Sequence, residues 1–97
     1  MAPTTQRQLE ALQGRLNKAR ESLHVLQEQV AVWNDALEDA RIRSLVSETP
    51  QLTADYNELS KHVVVATAEM QRRASEVQTL LDERDELLRR WNPEEQK

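Results

Sequence analysis

Ser44-Leu45-Val46-Ser47-Glu48-Thr49-Pro50 decides the fold, because it is the one place where a long heptad pattern stops and restarts. Ser44 and Ser47 occupy positions where the preceding pattern would have apolar residues. Thr49 suits a helix N-cap, its hydroxyl accepting from a free backbone N–H. Pro50 suits the first helical position, where its missing N–H would have had no partner. Proline also drives the residue before it out of the α region. The stretch therefore reads as a tight turn over 47–49 between two helices, about 5–46 and about 50–91.

Upstream of the turn, apolar residues fall at Leu9, Leu12, Leu16, Ala19, Leu23, Leu26, Val30, Trp33, Leu37 and Ala40. The steps alternate three and four, which is the a/d seam of a coiled coil. Gly14 is the only interruption of helix propensity, and it falls at the outward f position. Thr5 followed by Gln8 has the spacing of a capping box and marks the predicted start.

Downstream, the predicted seam is Tyr56, Val63, Met70, Ala74, Val77, Leu81, Arg84, Leu88 and Trp91, with Asn92-Pro93 as the stop and 93–97 as a polar tail. Folding the chain back at the turn pairs residue i with about 100 − i. Leu12 then meets Leu88, Ala19 meets Leu81, and Trp33 falls against Ala66 and Thr67. The expected fold class is all-α, a long antiparallel two-helix coiled-coil hairpin forming a single domain.

Composition agrees with a line of apolar contacts rather than a globular core. Aromatic residues make up 3 %, charged residues 31 %, and there is no Phe and a single Gly in 97 residues. The net charge of −4 argues against nucleic acid, which selects for a basic face. No apolar run reaches the ~18 residues of a membrane span, and Met1 to Arg7 lack the apolar core of a secretory signal. With no Cys there is no disulfide or thiol chemistry, and the expected location is the cytoplasm.

No residue constellation calls for catalysis or a cofactor. Glu21 and His24 have the Glu-x-x-His spacing of helical di-iron ligands, but they lie on outward positions and no second copy exists. His62 follows Glu58 by one turn and is expected near Glu38, a histidine among surface carboxylates rather than a metal site. Carboxylate pairs such as Asp35 and Asp39 recur along both helices. Acid–base chemistry needs a partly dry pocket, which a two-helix arm does not provide. The expectation is therefore a non-enzymatic protein without metal or cofactor.

Two surpluses of apolar side chains point to partners. Beside the predicted second seam runs the column Leu59, Ala66, Arg73, Leu80 and Leu87. Leu80, Leu87, Leu59 and Arg73 are the predicted interface of a homodimer, in which two hairpins form a four-helix bundle. Near the turn, Ile42, Val46, Val64 and Val65 lie off the seam, and β-branched side chains are poor choices for an exposed helix. They are the predicted docking patch for another protein.

The Leu45-Val46-Ser47-Glu48-Thr49-Pro50 turn, with Tyr56 and His62 on the returning helix, resembles small actinobacterial helical-hairpin proteins, a resemblance that covers the middle of the chain and implies no activity. The predicted architecture is also similar to the coiled-coil arm of the Gre transcript-cleavage factors. That likeness implies a regulator that binds RNA polymerase through an acidic, metal-holding tip. Here the turn offers Glu48 and, farther on, Asp55, and the 97 residues hold no counterpart of the Gre globular domain. The leading expectation is a coiled-coil interaction or assembly module, with the polymerase regulator as the alternative.

Overall fold

A computed structural model of the chain describes residues 4–91, and the predicted tail 93–97 lies outside them. Two helices, α1 (Thr4–Ser47) and α2 (Pro50–Arg90), form an antiparallel hairpin with extents of 72 × 15 × 14 Å. Among the described residues only Glu48, Thr49 and Trp91 are not helical. At ~1.5 Å per residue, helices of 44 and 41 residues account for nearly all of that length.

The turn is one residue shorter than predicted. Ser47 completes α1, and Glu48 takes φ 44°, the left-handed conformation that ends many helices. Its N–H donates to Ser44 O at 3.0 Å. Thr49 is the N-cap of α2, extended at φ −88°, ψ 147°, and its hydroxyl accepts from Leu52 N at 3.2 Å. Pro50 opens the helix as its sequence context requires. At the far end Trp91 donates its N–H to Leu88 O at 3.3 Å, and α2 stops one residue before the predicted Trp91. At the start of the chain, Thr5 is inside α1, which is already helical at Thr4, so Thr5 is not the N-cap of a capping box.

The first seam is as predicted. Leu12, Leu16, Leu26 and Val30 are buried, and Leu9, Ala19, Leu23, Trp33, Leu37 and Ala40 are half-buried. The second seam is as predicted in one column: Tyr56, Val63, Met70, Val77 and Arg84 lie in it, whereas Ala74, Leu81 and Leu88 do not. Alternating steps of four and three connect Leu52, Tyr56, Leu59, Val63, Ala66, Met70, Arg73, Val77, Leu80, Arg84 and Leu87, all buried or half-buried. The column Leu59, Ala66, Arg73, Leu80 and Leu87, predicted to face a second copy, therefore faces α1. Leu80 is 2 % exposed and packs with Leu12 and Leu16, with Leu87 against them. Ala74 and Leu88 are exposed, and Leu81 is half-buried at the flank.

The register differs as well. A turn centred between residues 48 and 49 sets i opposite 97 − i, because the two indices sum to 97. The difference from 100 − i is three residues, about 4.5 Å of level along the hairpin, while the column of α2 that faces α1 is set by the rotation of α2 about its own axis. Two cross-helix contacts lie within two residues of this register and five from 100 − i. Arg73 Nη1 donates to Ser22 O at 3.1 Å, and the rings of Trp33 and His62 meet edge to face at 4.3 Å. The core falls into two clusters along the seam, Leu12–Leu16–Leu80 toward the open end and Leu26–Val30–Ala66 toward the turn, with Trp33 and Met70 against the second.

Candidate interaction surfaces

Each of the predicted turn-end residues is exposed: Ile42 48 %, Val46 80 %, Val64 67 % and Val65 66 %. They do not form one patch. Register puts Val64 and Val65 level with Trp33 and Val32, nine or more residues up the hairpin from Ile42, about 14 Å at the helical rise. The residue that completes the turn end is Leu45, 64 % exposed, which the seam-based reading passed over. Ile42, Leu45 and Val46 stand at i, i+3 and i+4, a single helical face turned away from α2. That spacing was present in the sequence as a second, shorter apolar stripe.

Val25, Val32 and Val46 form a different line. They are spaced by seven and fourteen residues, so they share the c position of the heptad and lie along one side of α1. Val25 is 43 % and Val32 65 % exposed, and the two flank a shallow groove with Gln29 and Trp33. Val65 occupies the c position of α2 at the level of Val32.

At the open end lies a groove of about 390 Å³, floored by Ala11, Leu12 and Leu87 and rimmed by Arg15, Glu83 and Glu86. Its lining joins c and g positions of both helices, so these positions share one side of the hairpin. On the other side Arg84 lies among Leu9, Glu10, Gln13 and Leu88. Arg84 was predicted opposite Leu16, but the observed register moves it to the level of Gln13. Its Nε is buried without an acceptor among the described residues. Arg73, the other seam arginine, is satisfied by Ser22 O and by Glu69 Oε1 at 3.2 Å.

The charges are arranged mainly as pairs within each helix. Arg41 grips both carboxylate oxygens of Glu38, at 3.0 and 2.6 Å, and Arg43 pairs with Asp39. Glu69 accepts from Arg72 and Arg73, and Glu86 from Arg89 at 2.8 Å. Hydrogen bonds from these arginines hold the Glu38, Glu69 and Glu86 carboxyls below their ordinary range, against a smaller opposing effect of desolvation. Such exposed pairs contribute little each, though several in series support an isolated helix.

One histidine is where the sequence places it and the other is not. His24, on an outward position as expected, meets Glu28 at 2.9 Å through Nε2, and His62 meets Trp33 rather than Glu38. Among the described residues no three His, Asp or Glu side chains are grouped to hold a metal ion. Glu48 and Asp55 do not form a joined acidic tip: Asp55 lies almost two turns into α2 and accepts from Gln51 at 2.9 Å. No described helix is long and apolar enough to cross a membrane. The chain matches no protein-family model, no curated protein and no solved structure.

Proposed function

We propose that the hairpin is a non-enzymatic coiled-coil module that docks another protein at its turn end. The observation that carries this reading is the Ile42–Leu45–Val46 face, three large apolar side chains 48 to 80 % exposed on the outside of α1. Their burial has no use within the hairpin, since the seam of α1 already faces α2 on the opposite side. Left in water, each forgoes up to ~1.5–3 kcal/mol of burial, and two of the three are β-branched residues that lower helix propensity. An i, i+3, i+4 anchor set is the pattern by which one helix inserts into the groove of a partner. The rim is polar and paired, with Glu38–Arg41 and Asp39–Arg43 beside the apolar face. That is the arrangement of an interface centre with a solvated border.

The test is capture from an extract of the native host with the whole chain and with an Ile42→Glu, Leu45→Glu variant. The expected result is a partner retained by the first and lost by the second, with helicity equal in both. A captured set that does not depend on Ile42 and Leu45 ends this reading.

A further inference from the structure

The side of the hairpin made by c and g positions carries opposite charge on its two helices. On α1 it presents Arg15, Lys18 and Arg43 against a single carboxylate, Asp39, which Arg43 already holds. On α2 it presents Asp55, Glu58, Glu69, Glu76, Glu83 and Glu86 against Arg72 and Arg90. These positions share one side by direct contact. The open-end groove joins Arg15 with Glu83 and Glu86, Arg73 reaches Ser22 O, and Trp33 meets His62 across the same edge. The exposed valines of that side, Val25, Val32, Val46 and Val65, lie along it in helical register.

We propose that this side is the surface on which a second copy of the chain packs, related by a two-fold axis parallel to the hairpin, so that α1 lies over the partner's α2. Such an axis preserves level along the hairpin. Each α1 residue then meets, on the partner, the α2 residue that stands opposite it in its own chain. Arg15 meets the partner's Glu83, and Arg43 meets the partner's Asp55. Val32 meets the partner's Val65 twice over, giving an apolar centre flanked by the Trp33–His62 pairs. The aliphatic stem of Arg72 covers Val25. Asp39 faces the partner's Glu58, the one like-charge encounter, and its own Arg43 moderates it.

The competing two-fold, perpendicular to the hairpin, stacks α1 on α1 and α2 on α2. It sets basic side against basic and acidic against acidic, which disfavours it. A side 72 Å long and 15 Å wide offers more than the ~800 Å² per partner of a standard interface. The pairing also accounts for valines at exposed helical sites, where a solvated face would favour straight-chain polar residues.

The pairing rests on the reading of the hairpin as an interaction module, but apart from Val46 it uses different residues from the Ile42–Leu45–Val46 face. Light scattering on the whole chain at micromolar concentrations should give twice the single-chain 11.2 kDa. A Val32→Glu, Val65→Glu variant should give the single-chain mass with unchanged helicity, because both side chains are about two-thirds exposed and outside the seam. The chain has no cysteine, so single Cys variants report geometry cleanly. Val32→Cys mixed with Val65→Cys should cross-link through a short bismaleimide, while Val32→Cys alone should not. A monomeric wild type overturns the proposal, and so does efficient cross-linking of Val32→Cys to itself. A monomer that still captures a partner through Ile42 and Leu45 ends the pairing and leaves the docking function standing.

Discussion

Replacing Leu80 by Ala tests directly which column of α2 faces α1. Leu80 is 2 % exposed and fills the space between Leu12 and Leu16, which are 4 % and 0 % exposed. Truncation leaves a cavity lined by leucines and costs ~2–5 kcal/mol. A two-helix seam collapses more readily than a globular core, so the lower half of that range is expected, about 2–3 kcal/mol. For a domain of this size that lowers the melting temperature by roughly 10–20 °C. Leu81→Ala is the control, because the two leucines are neighbours of identical chemistry. Leu81 is half-buried at the flank of the same cluster, and its truncation should cost about 1 kcal/mol. Urea unfolding followed by far-ultraviolet circular dichroism, at several protein concentrations, separates the two. The midpoints should shift while the denaturant slope stays constant. A Leu81→Ala protein less stable than Leu80→Ala would return the 81/88 column to the seam and refute the observed packing of α2.

Three further outcomes follow from local geometry. Gly14→Ala should stabilise by ~0.5–1 kcal/mol in the same unfolding assay, since an added Cβ meets nothing within 4 Å and the site is mid-helix. Glu48→Gly should raise the melting temperature by a few degrees, because glycine adopts the φ of 44° without the ~1–2 kcal/mol strain of a side chain, less its greater unfolded-state freedom. Acid should weaken the hairpin. The Glu38, Glu69 and Glu86 carboxyls are held below their ordinary value of 4.5, so their contribution is complete above it and is lost as the pH falls through the lowered values. Glu69→Gln, which removes the titrating carboxylate that Arg72 and Arg73 share, should make a melting-temperature profile across that window shallower.

The sequence by itself determined the helical class, the antiparallel hairpin and the place of the turn. Thr49 and Pro50 define a helix start through capping and a fixed φ, which are local effects and need no tertiary information. The first seam was equally legible, because its two columns are apolar without a break from Leu9 to Ala40, whereas the neighbouring column of Val25, Val32 and Val46 is interrupted by Lys18 and Asp39. In α2 three columns compete, since Leu80-Leu81 and Leu87-Leu88 are adjacent pairs, and composition alone does not choose between them. What decided was how α2 is rotated about its own axis in the packed hairpin, which puts Leu80, Leu87, Leu59 and Arg73 in the seam and leaves Ala74 and Leu88 exposed. The candidate surfaces divided the same way. Ile42 and Val46 were visible as unexplained apolar residues, but their separation from Val64 and Val65 depends on which α2 residue stands opposite which α1 residue. A heptad repeats every seven residues and so fixes a face, whereas level along the hairpin is a property of the two helices packed together.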